Sequence, residues 1–325
     1  VTFYLIRISL FLASTAMIYY AIKITPILKW QLFLLALYPT TVFIRSSISA
    51  DSLMYGYVFL FIALINYQIF SDKKIGYKYL AQLSLLAVML CLSKSAYCFI
   101  LGMFFLLKKD KFISSKQYII ALFAIVILPF ILNFSWVALT LNAIDNMPRG
   151  EEAGFRVPLG IDPKKQFLFC LNNPIEFLSI TMTTLFIMLP NYIKSLVSGL
   201  GLLDVFLPGN LTLVAFIILF IIPFKSKEEN FTITRYQRNI CWFLFLISMV
   251  TIFFILYLTG SNVGAIFISG LQGRYFMPII PLMLFALSHQ MYSLHYNLIT
   301  KLLTGLVVFL LSSGLITFML HDYNL

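Results

Sequence analysis

Two short polar segments interrupt the apolar sequence and carry charges that could do chemistry. The segment RSSISADS (residues 45–52) has four serines with Arg45 at one end and Asp51 near the other, and the segment LSKSAY (92–97) has Lys94 between two serines. Cations can hold a phosphate, and a carboxylate accepts hydrogen bonds from hydroxyls. Placing a charged residue near a bilayer costs free energy, so such a residue indicates a partner or a function. The pattern predicts a site for a sugar or a phosphate.

Each of these residues also has a simpler explanation that the sequence leaves open. Asp51 can cap the helix that begins at Ser52, in which case the serines form a tight polar turn. Lys94 lies at the tip of a short hairpin, where its ammonium group either meets a lipid phosphate or extends to water.

The segment GLQGRYFMP (270–278) is the most distinctive in the chain. Its glycines permit close backbone approach, and Arg274 offers two parallel donors to a phosphate. The aromatic pair that follows suits a membrane interface, so an ordinary interfacial anchor is the alternative. Asp204, at the end of GLGLLD (199–204), is a further candidate for holding a bound group where the chain returns to the membrane.

The composition decides what must position these residues. The chain has 325 residues, of which 61% are hydrophobic and 11% are charged, and its mean hydropathy is +0.95. Soluble domains carry about a quarter charged residues, so a soluble enzyme is excluded. The net charge of +11 then indicates basic loops on the cytoplasmic side of a membrane, with no nucleic-acid partner.

Ten apolar runs predict an all-α, polytopic transmembrane bundle of about ten spans. Three breaks between the runs are rich in lysine and arginine, and the positive-inside rule places them in the cytoplasm. The runs are 3–22, 31–44, 52–70, 79–93, 95–107, 117–136, 205–224, 240–260, 275–291 and 298–320; the basic breaks are 73–78, 108–116 and 225–238.

The same rule constrains two ambiguous segments. Residues 79–107 must form two short spans that turn near Lys94, because one long span would put the next basic loop outside. Residues 137–204 must then stay on the outer side, as a loop followed by a re-entrant or surface-lying helix over 171–198, which Pro174, Pro190 and Lys194 make a poor spanning segment. We expect one polytopic domain over 1–325, with Arg45, Asp51, Lys94, Asp204 and Arg274 on the outer side.

Nucleotide, metal and nucleophile motifs are absent from the sequence. It has no phosphate-binding glycine loop, no GxSxG and no HExxH, and the absence of an ATP site argues against a primary pump. The four cysteines have no CxxC spacing and the three histidines form no ligand pattern, so we expect no metal and no cofactor; a divalent metal has no support.

Several runs together resemble one family. YPTTVFIRSSISADSLMYGYVFLFIAL, LSKSAYCFILGMFFL, GLGLLDVFLPG and LQGRYFMPIIPLML are similar, in this order, to motifs of the domain of unknown function 2142 family of bacterial membrane proteins. The resemblance covers about 30–320. That family is grouped with the GT-C type glycosyltransferases, which take a sugar from a polyprenyl-phosphate carrier on the outer side of the membrane.

The resemblance implies a GT-C-like fold and a glycosyltransferase in the bacterial plasma membrane. Its partners would be a polyprenyl-phosphate-linked sugar, an envelope glycan acceptor and membrane lipids. Arg274, Lys94, Arg45 and Gln272 would bind the donor phosphate, and Asp51 and Asp204 would position substrate. In such enzymes the usual catalytic carboxylate lies in a first outer loop, which we expect to precede Val1. The base is therefore unassigned, and Asp51 is the candidate carboxylate that remains in this sequence. We expect missing sequence before Val1.

Two alternatives remain. A transporter or flippase of lipid-linked glycans could use the same outer cations, but it needs a polar path through the whole membrane. An inactive, shortened subunit of an envelope complex is the second alternative. The nearly uncharged inner halves of the spans favour the transferase.

Overall fold

A computed structural model describes residues 2–145, 161–201, 203–221, 232–288 and 296–322, and within these the chain is helical, with no β-strand. The α-helices are Thr2–Ile24 (α1), Lys29–Leu37 (α2), Pro39–Arg45 (α3), Asp51–Phe70 (α4), Tyr77–Ser93 (α5), Ser115–Leu122 (α6), Leu128–Asp145 (α7), Pro163–Asn172 (α8), Pro174–Ser198 (α9), Gly209–Ile221 (α10), Arg235–Gly260 (α11), Ile280–Leu287 (α12) and Tyr296–Asp322 (α13). Among the described residues, the 3₁₀ segments Ser95–Leu106 and Lys109–Lys111 lie between α5 and α6, and Gly273–Phe276 lies between α11 and α12.

Among the described residues, five helical stretches are long and apolar enough to cross a membrane: Thr2–Ile24, Asp51–Phe70, Ser115–Thr140, Pro174–Ser198 and Arg235–Gly260. The third joins α6 and α7 through a π-helical turn at Phe123–Ile127. Four shorter apolar helices accompany them. Large side chains such as Phe134 (70% exposed) face outward, as expected of surfaces that contact lipid.

The run 31–44, expected as one span, is broken in the structure. α2 ends at Leu37 and α3 begins at Pro39, and Tyr38 between them has a ψ of 136°. A residue before proline is pushed out of the helical region, which explains the break. The expectation of a single helix here was wrong.

The break expected at Lys94 is present. α5 ends at Ser93, Lys94 is extended with φ −163° and ψ 116°, and the 3₁₀ segment Ser95–Leu106 follows. The far ends of both segments meet again, because the backbone N–H of Ile75 donates to the carbonyl oxygen of Lys111 at 2.9 Å. The chain therefore reverses direction at Lys94, as the two-segment interpretation requires.

This reversal brings the predicted cytoplasmic breaks together. Lys74 Nζ donates to the carbonyl oxygen of Asp110 at 2.9 Å, and Tyr236 Oη donates to the carbonyl oxygen of Phe105 at 3.4 Å. We call residues 71 and 72 together with the described parts of the three basic breaks, 73–78, 108–116 and 232–238, the basic end. The start of α4, Lys94 and the segment Gly273–Phe276 form the opposite end.

Helix α9 differs in part from the expectation for 171–198. It is one continuous helix that contains Pro190, and by length and composition it could cross a membrane. Helix α9 nevertheless contacts the opposite end of the bundle at more than one point: Phe177 stacks on Tyr257, and Thr184 Oγ1 accepts from the N–H of Ile268 at 3.2 Å. A surface-lying position stays a prediction.

The loop expected to start the outer segment 137–204 begins later, because α7 continues to Asp145. Residues 146–160, which hold Arg149, Glu151, Glu152 and Arg156 of that loop, are outside the described residues. Beyond them, Asp162 caps α8 by accepting from the backbone N–H groups of Lys164 and Lys165 at 3.1 and 3.0 Å. The pKa of this exposed carboxyl is lowered, chiefly because the backbone N–H of Lys165 donates a hydrogen bond to its charged form.

Candidate functional site

Lys94 and Asp51 form an ion pair at the opposite end. Lys94 Nζ is 3.0 Å from Asp51 Oδ1 and 3.3 Å from Oδ2. The side chain of Asp51 is 15% exposed and that of Lys94 is 34% exposed, so the ion pair is partly buried. The sequence placed both residues on the same side of the membrane, and the fold brings them into contact because the Lys94 turn packs against the first turn of α4.

The ring of Tyr275 connects Lys94 with Arg274. Lys94 Nζ lies 4.3 Å from the ring centre, and Arg274 Cζ lies 5.5 Å from it. Both cations are within range of a favourable cation–π contact. Because neither is farther than 5.5 Å from one ring centre, the two charges cannot be more than twice that distance apart. Arg274 Nε is buried, and no described residue is its hydrogen-bond partner.

Tyrosines hold the backbone of the Arg274 segment in place. Tyr97 Oη donates to the carbonyl oxygen of Tyr275 at 3.0 Å, and Tyr55 Oη lies 3.4 Å from that of Arg274. Tyr97 follows the Lys94 turn and Tyr55 lies one turn into α4. The elements that carry Lys94 and Asp51 therefore also position Arg274.

Gly273 lets this segment lie directly on α9. Its N–H donates to Ser195 Oγ at 2.7 Å. A Cβ at this position would collide with the carbonyl oxygen of Tyr192 and come within 2.5 Å of the N atom of Leu196. Only glycine fits here, which explains the close approach that the GLQGRYFMP pattern predicted.

A groove of about 370 Å³ opens beside Lys94, between α7 and α11. Its polar part is formed by the Lys94 turn and by Asn133, whose Nδ2 donates to the carbonyl oxygen of Cys91 at 2.7 Å and to Ser95 Oγ at 3.1 Å. Its remaining walls are largely apolar, with Trp136, Val137, Ile252, Ile255 and Leu256. The groove therefore has a cationic mouth and an apolar interior, and the ring of Tyr275 lines it.

In the comparison with protein families, residues 1–283 match the family described as "Predicted membrane protein (DUF2142)". The chain belongs to this family. It is therefore a membrane protein, and the family description states no activity. No curated protein and no solved structure matches the chain.

Arg45, expected to bind the donor phosphate in this DUF2142 protein, points into the bundle. It is 3% exposed, its Nη1 donates to the carbonyl oxygen of Ala36 at 3.1 Å, and its Nη2 donates to Thr15 Oγ1 at 2.7 Å. Its guanidinium lies 4.9 Å from the ring centre of Phe11. These contacts hold α1, α2 and α3 together, and Arg45 does not line the groove.

The capping interpretation of Asp51 was wrong. Asp51 is itself the first residue of α4, Ala50 precedes it, and no side chain caps this helix. Ser52 instead closes the serine turn, with its Oγ donating to the carbonyl oxygen of Ser47 at 2.5 Å. The carboxylate of Asp51 therefore caps no helix and instead pairs with Lys94.

Gln272 and Asp204 complete the set of expected site residues. Gln272 precedes the Arg274 turn, and its Oε1 is buried with no hydrogen-bond donor among the residues that the structure describes. Asp204 is exposed, with its carboxylate against Gly201, and it does not line the groove. Among the described residues, no three His, Cys, Asp or Glu side chains form a group that could hold a metal ion.

The sequence interpretation missed three residues of the site. Tyr275 was expected only as an interfacial residue, although it joins both cations, and Asn133 and Ser195 were not singled out. An asparagine within the apolar run 117–136 was the available signal, since a polar side chain there needs a partner.

Proposed function

We propose that this protein is a GT-C-type glycosyltransferase of the bacterial plasma membrane. It moves a sugar from a polyprenyl-phosphate donor to a cell-envelope glycan on the outer face, within a multi-pass bundle of about ten spans. The observation that carries the proposal is that Lys94 and Arg274 share the Tyr275 ring, and that Lys94 and this ring line a groove with largely apolar walls; Arg274 itself does not line it.

The groove suits a lipid phosphate. A phosphate at the mouth would accept from Lys94 and from the hydroxyl of Ser95, and an isoprenoid chain would lie between α7 and α11. The volume of about 370 Å³ is at the lower end of the range for small-molecule sites. It therefore accommodates the phosphate and the first part of the chain, while the rest would remain in the bilayer.

The cations would act on the leaving group. In the transfer, an acceptor hydroxyl oxygen bonds to the anomeric carbon, the bond from that carbon to the phosphate oxygen breaks, and the lipid phosphate leaves with the electron pair. Lys94 and Arg274 would stabilise the charge that develops on that oxygen. A carboxylate must take the acceptor proton. Asp51 lies close by but is paired with Lys94, so its role is to position that lysine, and the base is unassigned.

A transfer assay tests the proposal. Membranes with the full-length protein, or with Lys94→Met or Arg274→Ala, would be given radiolabelled polyprenyl-phosphate sugars, and label in envelope polymer would be counted. We expect each variant to lose at least about 100-fold in rate, since each removes a cation that stabilises the leaving group. Lys165→Met, an exposed cation elsewhere on the opposite end, is the control and keeps the wild-type rate. Unchanged transfer in both variants would refute the proposal.

The same assay separates the alternatives. A flippase would move labelled lipid to the other leaflet without consuming it, and a silent subunit would do neither. Within α4, α5, α7 and α11, charged residues occur only in the first or last turn, so these helices offer no charged path from end to end. This distribution favours transfer at one face.

A further inference from the structure

The basic end carries a large excess of positive charge that its described residues do not neutralise. They include nine lysines and arginines and two aspartates; they are Lys73, Lys74, Lys78, Lys108, Lys109, Lys111, Lys116, Arg235, Arg238, Asp72 and Asp110. None of these cations forms a salt bridge with a described carboxylate. Lys74 and Lys111 donate to backbone carbonyls of the neighbouring break. The end as a whole is therefore ready to bind anions.

Lys108 and Lys109 lie beside a cavity of about 280 Å³ in this end. The cavity is between the end of the 3₁₀ segment Ser95–Leu106 and the start of α11. Both lysines are exposed, and Lys109 Nζ lies 5.4 Å from the ring centre of Tyr118. That ring packs on Phe112 at 5.1 Å between ring centres, so the cationic side of the cavity has a fixed aromatic base.

The other side of the cavity is apolar and open. Phe105 is 44% exposed and Tyr236 is 62% exposed, and both are large rings. Exposed aromatic rings next to lysines are typical of the level in a bilayer where headgroups meet acyl chains. A free inorganic anion has no apolar surface that could pack on these rings, whereas the glycerol and first acyl carbons of a phospholipid would pack on them.

We propose that this cavity is a binding site for an anionic phospholipid, with the phosphodiester on Lys108 and Lys109 and the glycerol against Phe105 and Tyr236. Basic pockets between membrane helices are known to suit such headgroups. The inference does not depend on the transferase activity, because the site lies at the end of the bundle away from Lys94. The bound lipid would tie the Lys94 hairpin segments to α11 at their basic end.

Lipid binding to the purified full chain tests this proposal. The protein in detergent would be titrated with dioleoyl phosphatidylglycerol, dioleoyl phosphatidylcholine or inorganic phosphate. Bound lipid would be counted by native mass spectrometry and the midpoint of thermal unfolding recorded. We expect phosphatidylglycerol to bind and to raise the midpoint, and phosphatidylcholine and phosphate to do neither. The double variant Lys108→Gln, Lys109→Gln should bind phosphatidylglycerol about ten-fold more weakly.

Two controls make the result specific. Lys108→Arg, Lys109→Arg keeps both charges and should retain binding. Lys164→Gln, Lys165→Gln removes two exposed charges from the opposite end and should also retain it. Equal binding of phosphatidylcholine, full competition by inorganic phosphate, or unchanged binding in the glutamine variant at Lys108 and Lys109 would each overturn the proposal.

Discussion

The two ends of the bundle handle charge in different ways. At the opposite end, Lys94 is paired with Asp51 at 3.0 Å and packed on the ring of Tyr275. At the basic end, lysines such as Lys108 and Lys109 are exposed, and no described carboxylate pairs with them. One end holds a few charges in fixed contacts, and the other presents many charges to its surroundings.

This difference indicates what each end can recognise. A partly desolvated charge needs a partner in a defined geometry. Substituting one residue of the pair leaves the other charge partly buried and unpaired, which costs a large desolvation free energy. Exposed charges contribute little individually and are screened by salt. The Lys94 end is therefore suited to one ligand held at fixed atoms, and the basic end to a charged headgroup held by an excess of positive charge.

The largest expected effect is at Gly273. Gly273→Ala should lower the free energy of unfolding by about 3 kcal/mol or more, because the new Cβ would collide with the backbone of α9 at Tyr192 and Leu196. Equilibrium unfolding in mixed micelles measures the change. Gly209→Ala is the matched control, since a Cβ there has nothing within 4 Å, and it should be neutral or slightly stabilising. Equal effects of the two substitutions would contradict the close approach of Gly273 to α9.

The second effect is the coupling between Lys94 and Asp51. Lys94→Met alone should cost about 2 kcal/mol of stability, because it leaves a carboxylate that is only 15% exposed without its cation. In a double-mutant cycle with Asp51→Asn, we expect a coupling of about 1–2 kcal/mol, between the values for exposed and buried pairs.

The ion pair of Lys165 with Asp162 is the comparison for that cycle. It spans 3.5 Å, and its side chains are 75% and 39% exposed. Its coupling should be within the error of the measurement, since exposed pairs of this kind contribute little. If the two cycles gave the same coupling, burial would not distinguish the Lys94 pair from an ordinary surface pair.

Ser195 should show a smaller effect than Gly273 at the same contact. Ser195→Ala removes the acceptor of the Gly273 N–H at 2.7 Å and leaves a buried donor unpaired, which should cost about 1–2 kcal/mol. Ser9→Ala is a control, because the Ser9 hydroxyl is exposed and bonds only within its own helix. Thermal unfolding of both variants in one detergent would rank them; a cost at Ser9 as large as that at Ser195 would refute the role of this hydrogen bond.

The sequence was sufficient for the coarse arrangement of this site. The positive-inside rule and the count of spans placed Lys94, Asp51 and Arg274 on one side, and they required a reversal at Lys94. These inferences need only charge and hydropathy along the chain. The break before Pro39 was also readable, since proline restricts the residue before it, but the continuous hydropathy of 31–44 obscured it.

The contacts within the site could not be predicted in the same way. Tyr275 meets Lys94 and Tyr97 across some 180 positions of sequence, and hydropathy does not specify which helices are neighbours or how each is rotated. Arg45 illustrates the limit: its charge suggested a phosphate site, whereas its Nη1 and Nη2 atoms donate to Ala36 and Thr15 within the bundle. A buried arginine needs acceptors, and in this fold α1 and α2 supply them.

The smallest expected effect on stability is at the basic end, and it is the sharpest test of the contrast between the two ends. Lys108→Gln together with Lys109→Gln should change the free energy of unfolding by less than about 0.5 kcal/mol without added lipid, because both side chains are exposed and neither pairs with a described carboxylate. The same variant should lose the stabilisation that phosphatidylglycerol gives, and raised salt should remove it from the wild type as well. A cost above about 1 kcal/mol in the absence of lipid would mean that these lysines hold the fold together, as Lys94 and Asp51 do, and the distinction between the two ends would fail.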